Sequence, residues 1–143
     1  MFIDRNIVNV QFITYDQLVK NCRLWALQLP PSRSFVGLPR SGVTVSHILS
    51  SISNHNSTQI HAPTFRQGTA RERRDDDSLP WMVVDDTCSM GTAINHARNS
   101  LPDALFGAVY ARPVGIEACQ LDYWFRRHGD SHTLVLTEWN WCH

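Results

Sequence analysis

The chain has 143 residues, 43% hydrophobic and 18% charged; this is the length of one domain, and the composition excludes disorder. Its 13 Lys and Arg balance 13 Asp and Glu, so it lacks the basic excess of a general nucleic-acid or anionic-membrane binder. No apolar run approaches a membrane span and no signal-peptide core accompanies Asp4 and Arg5, so a cytoplasmic protein is expected.

Residues 15–29 predict a helix. Leu18, Val19, Cys22, Trp25, Ala26 and Leu29 recur at helical spacing, Thr14 or Asp16 can cap the start, and Pro30 and Pro31 stop it. Residues 34–38 form a short strand that runs into Pro39-Arg40-Ser41-Gly42. A helix is expected over 43–52, a turn over 54–57 and a strand over 59–65. Residues 66–80 are polar and aperiodic, a loop of the length that is uncommon in compact domains unless it is functional. Residues 81–84 read as a buried strand ending in Asp85-Asp86, and a helix runs from near Gly91 to about Leu101. Pro102 and Asp103 turn the chain into a strand over 105–110. Residues 116–127 suit either a helical turn or a short strand, and 133–137 form a last strand. Alternating strands and helices predict an α/β fold: one domain, 1–143, with a parallel sheet of about five strands and helices on both faces.

Cys22, Cys88, Cys119 and Cys142 are widely spaced and form no CxxC pair, so free thiols are expected. Twelve of the 13 cationic residues are Arg, the planar phosphate ligand; Lys20 is the exception. The strongest chemical signal is Val83-Val84-Asp85-Asp86-Thr87-Cys88-Ser89-Met90-Gly91-Thr92-Ala93. A buried strand delivers two carboxylates to a sheet edge, and a small, hydroxyl-rich turn then opens a helix. The turn's N–H groups and the hydroxyls of Thr87, Ser89 and Thr92 suit a phosphate monoester. The carboxylates sit too far back for that phosphate; they fit a ribose diol, or a magnesium ion bound to one. The plainer alternative is an Asp-rich helix cap. Seven histidines form no HExxH, and no GxGxxG or Walker A motif is present.

This segment resembles the phosphoribosyl-pyrophosphate (PRPP) motif of type I phosphoribosyltransferases: four apolar residues, two acids, then Gly five places after the second acid. Gly91-Thr92-Ala93-Ile94 is similar to the orotate branch. Phe35-Val36-Gly37-Leu38-Pro39-Arg40-Ser41-Gly42 resembles the loop that binds pyrophosphate in that family. The layout of nearly the whole chain is similar to the small xanthine-guanine branch, including Ala111-Arg112-Pro113-Val114-Gly115 and a Trp-bearing tail.

The resemblance implies a glycosyltransferase of nucleotide salvage. It would move 5-phosphoribose from PRPP to a nucleobase, with Mg2+, at the carboxyl ends of the strands. Asp85 and Asp86 would hold the ribose hydroxyls and the metal. Ser89, Met90, Gly91 and Thr92 would hold the 5-phosphate, with Thr87 and Cys88 also binding PRPP. Arg40, Ser41 and Gly42 would take the pyrophosphate, with Arg40 catalytic beside the two acids. The loop 66–80 would be a mobile lid bearing Arg71, Arg73 and Arg74; read from charge alone, it is a solvated, self-neutralising run. Arg112, Trp139 and Asn140 would bind an oxo-base or an analogue. Ser89 stands where purine members carry Asp and orotate members Thr, so motif and layout point to different bases. The family also implies a homodimer or higher homo-oligomer, and it contains PRPP- or nucleotide-sensing regulators with weak catalysis, which is the alternative reading.

Overall fold

A computed structural model describes residues 9–39, 41–53, 78–129 and 132–136. In chain order the elements are β1 (Asn9–Ile13), α1 (Tyr15–Ala26), β2 (Ser34–Gly37), α2 (Ser41–Ser53), β3 (Trp81–Cys88), α3 (Thr92–Ser100), β4 (Leu105–Ala111), α4 (Pro113–Cys119), β5 (Tyr123–Arg127) and β6 (His132–Leu136). The strand expected over 59–65 and the lid loop's arginines lie outside the described residues, as do Arg40, Trp139 and Asn140.

Four strands form the main sheet in the order β2-β3-β4-β5, and every neighbouring pair is parallel. The last strand does not join them. It pairs in parallel with β1, from Asn9 opposite His132 to Ile13 opposite Leu136.

Helices cover both faces, and the alternation along β3 shows why. Met82 and Val84 pack with Leu18, Cys22 and Trp25 of α1 and with Val45 and Leu49 of α2. Val83, between them, packs with Ile94 and Ala97 of α3 and Cys119 of α4. A parallel strand buried on both sides reads as an unbroken apolar run, as Trp81-Met82-Val83-Val84 does. The largest buried side chain on the first face is Trp25, 1% exposed. Its indole lies over Gly107 of β4, where a Cβ would come within 2.9 Å of the ring. Burying such a side chain contributes roughly 2–3 kcal/mol, which docks α1 on the sheet.

Thr14 caps α1 as a capping box. Its Oγ1 accepts from Gln17 N–H at 3.2 Å, and Gln17 Oε1 accepts from Thr14 N–H at 2.9 Å. The helix stops at Ala26 rather than at 29, because Leu27 is 84% exposed and has no core to face. The segment left open over 116–127 resolves into two elements, the end of α4 and then β5. Gln120 makes the turn between them at φ 51°, and Leu121 is buried against the α3 face.

Candidate active site

All four strands of the main sheet are parallel, so their carboxyl ends share one edge, where open α/β sheets bind ligands. The strand β3 continues through the two acids to Cys88, four residues beyond the apolar run. Ladder pairs of Asp85 with Ala108, Thr87 with Tyr110 and Cys88 with Ala111 keep it extended. Asp85 is half-buried and Asp86 is 5% exposed.

The acids are held by the chain around them. Asp85 Oδ1 accepts the N–H of Asp86 at 2.8 Å, and Asp86 Oδ1 accepts the N–H of Thr87 at 2.7 Å. Burial, followed by the charge of Asp86, pushes the Asp85 carboxyl well above its usual 3.8. The folded chain therefore holds this proton to higher pH than the unfolded chain does. Stability supplied by Asp85 is full below 3.8 and is lost as pH rises through the raised value. Asp85→Asn removes the titrating group. Without metal or PRPP, urea unfolding should show the variant more stable than wild type at neutral pH, with the difference gone in acid.

The first loop meets the acids at Gly42. A Cβ there would lie 2.7 Å from Val84 O and 3.1 Å from Asp85 Oδ1. The N–H of Leu38 donates to Val84 O at 3.0 Å and seats the preceding turn. The structure thus brings Gly42, in the first turn of α2 next to Ser41, against Asp85. The helix begins at Ser41, two residues before the expected 43.

The turn after β3 surrounds a cavity of about 220 Å³ lined by Asp85, Thr87, Ser89, Gly91, Thr92 and neighbours. Ser89, Met90 and Thr92 are exposed. Gly91 has φ 78°, the left-handed region, and supplies no capping side chain to α3. The first N–H groups of α3 are therefore open to an anion on that side. Cys88 departs from its neighbours: its thiol turns toward α4, with Sγ 3.6 Å from Cys119 Sγ. Cys119 shifts toward thiolate, first through the hydrogen bond from Cys88 and then through Arg98; Cys88 is held protonated. Burial pushes the Cys22 thiol up to about 12.

The turn after β3 rests on two residues that the sequence analysis did not place in the site. Gly115 lies under Cys88 and Ser89, and a Cβ there would sit 2.8 and 2.7 Å from their carbonyl oxygens. Cys119 is the floor beneath Gly91. Their spacing of four on one helix is the one signal the sequence carries, and it gives no hint of the partner. Arg112, at the carboxyl end of β4, caps α4, and its N–H donates to Cys88 O at 3.0 Å. That places it beside the same turn, half-buried. A larger cavity of about 420 Å³, lined by Arg33, Trp81, Pro102 and Ala104, opens where the strands begin, at the sheet's opposite end.

No family model matches the chain. A xanthine-guanine phosphoribosyltransferase of Gluconobacter oxydans is 28% identical over 122 residues, which cover 76% of this chain and 73% of that protein. Among solved structures, a purine phosphoribosyltransferase from Pyrococcus horikoshii matches with TM-score 0.69 at 15% identity, over 91% of this chain and 93% of its own. An orotate phosphoribosyltransferase of Mycobacterium tuberculosis, in complex with PRPP, matches with TM-score 0.52 at 20% identity, over 87% and 74%. In fold, over most of its length, the chain is similar to these phosphoribosyltransferases.

Proposed function

We propose that the chain transfers 5-phosphoribose from PRPP to a nucleobase and releases pyrophosphate. The observation that carries this reading is the meeting of two loops at one carboxylate: Gly42 packs on Asp85, and the turn 87–92 opens on its other side. A 5-phosphate in that turn leaves the ribose over Asp85 and Asp86. The pyrophosphate then points toward Ser41 and Gly42. The turn's amides and hydroxyls bind and orient the phosphate. The acids hold the ribose hydroxyls while the bond from C1 to pyrophosphate breaks and the base nitrogen takes its place.

The donor set fits magnesium. Two adjacent carboxylates, one of them held toward its neutral form by burial and by the other's charge, are hard oxygen ligands that a divalent cation would relieve. A magnesium ion at the pair would neutralise charge on the ribose and the leaving pyrophosphate. No group of three or more metal-binding side chains occurs among the described residues, which fits an ion shared with substrate phosphates.

Arg112, whose backbone joins the turn at Cys88 O, would donate to a base carbonyl, which favours an oxo-base; the xanthine-guanine relative supports a purine. Arg112→Ala should raise KM for the base about tenfold or more and leave KM for PRPP within about twofold. Loss of PRPP affinity instead would move the base site elsewhere. Arg40, the arginines at 71, 73 and 74, Trp139 and Asn140 belong to the same proposal, as do a single domain, a homo-oligomer and a cytoplasmic location. Among the described residues no helix is long and apolar enough to cross a membrane. Pyrophosphate release from Mg-PRPP, measured across xanthine, guanine, hypoxanthine, adenine and orotate, tests the reading. Absence of release with every base would refute it.

A further inference from the structure

We propose that Cys88 and Cys119 form a reversible disulfide under peroxide, and that this bond closes down the phosphate turn. The effect on PRPP rests on the function proposed above; the bond itself does not.

Two cysteines 31 positions apart place their sulfurs 3.6 Å from each other, in contact and unbonded. They occupy different elements with different freedom. Cys119 ends α4, and its backbone is clamped: Arg98 donates to Cys119 O at 2.9 Å and to Gln120 O at 3.2 Å. The Arg98 guanidinium in turn lies 4.3 Å from the Phe106 ring centre. Cys88 ends β3 and leads directly into the turn. A disulfide needs sulfurs about 2.0 Å apart, so the pair must close by about 1.5 Å. The clamp on Cys119 sends that movement to Cys88 and the turn. The turn has no slack, because it already packs directly on α4: a Cβ at Gly91 would lie 2.7 Å from Cys119 Cβ, and one at Gly115 2.7 Å from Ser89 O.

Access fits the same picture. Both sulfurs are buried, but Cys88 borders the cavity of the turn. On this proposal peroxide, little larger than water, enters through that cavity to the buried pair behind it, and a phosphate bound in the turn would block its way. The chemistry balances with peroxide as the named oxidant. One sulfur, as thiolate, attacks peroxide: an S–O bond forms, the O–O bond breaks, and the departing hydroxide takes a proton to become water. The second sulfur attacks that sulfenic acid: the S–S bond forms, the S–O bond breaks, and hydroxide again leaves as water. Two thiols are oxidised by two electrons in total, and peroxide becomes two waters. Cys22 lies in the opposite core under α1, in a cluster that contains neither Cys88 nor Cys119, and serves as an internal control.

The test uses the full chain, reduced and then exposed to hydrogen peroxide with and without Mg-PRPP. Digestion without reductant and mass spectrometry read the linkage, and calorimetry reads PRPP affinity. The expected result is a peptide pair joined through Cys88 and Cys119, less of it when PRPP is present, and PRPP affinity down about tenfold. Dithiothreitol should restore both thiols and the affinity. Cys119→Ser should keep its unoxidised affinity after peroxide; if that variant does not fold, recovery of wild type with dithiothreitol carries the comparison. Unlinked peptides, or linked peptides with unchanged affinity, would overturn the proposal. A reduced chain that binds no PRPP would refute the proposed function, and the disulfide would still stand or fall on the peptide map.

Discussion

Asp85→Asn combined with Asp86→Asn is expected to lower PRPP affinity roughly a hundredfold or more and to leave the fold intact. Both halves follow from the local hydrogen bonds. Each acid uses one Oδ1 to accept the next residue's N–H, and Asn keeps an oxygen in that place. What the double variant loses is charge. Neutral amides bind a hard divalent cation poorly and offer weaker acceptors to ribose hydroxyls. Calorimetry with Mg-PRPP, beside circular dichroism on the same samples, separates lost binding from lost fold. Affinity equal to that of wild type would remove the acids from the site.

Gly91→Ala should be the most damaging single methyl in the turn. The residue sits at φ 78°, which costs an L side chain roughly 1–2 kcal/mol. The added Cβ would also lie 2.7 Å from Cys119 Cβ and 3.1 Å from Gly115 O. Overpacking of that kind costs roughly a further 1–3 kcal/mol, and neither neighbour is the flexible end of a long side chain. Urea unfolding should therefore show a loss of about 2–5 kcal/mol. Surviving protein should show a raised KM for PRPP and a nearly unchanged KM for the base, because the strain falls where the 5-phosphate would sit. A stability loss below about 0.5 kcal/mol would mean that the turn is not held in this conformation.

The parts of the site read directly from the sequence are those whose chemistry is local. An apolar run, two acids and a small-residue turn sit within a dozen positions, and the structure sets them at one strand end as expected. The strand's true length was not legible. Asp is a poor strand former, so the sequence ends the run at Val84, yet pairing with β4 carries it to Cys88. The same cause hid β1. Asn9–Ile13 has a weak pattern of its own and becomes a strand by pairing with a segment near the far end of the chain. Thr14 was legible as one of two candidate caps, beside Asp16, because capping is local; the structure selects Thr14 through its box with Gln17, which needs no tertiary partner. The floor of the turn was not, since Gly115 and Cys119 earn their importance from contacts with residues more than twenty positions earlier.

The pairing of β1 with β6 closes a loop of about 120 residues, among the longest this chain can make. Parallel strands cannot be joined by a hairpin, so nothing nearby in sequence holds this pair together while it forms. The pair therefore stands late in any folding sequence, after the four-stranded sheet that carries the acids. Amide protons along Asn9–Ile13 should exchange at lower opening energies than those of β3, although Ile13 is tied into the α1 core. With that order of exchange, β1 and β6 would act as a clasp that opens while the sheet between them stays folded.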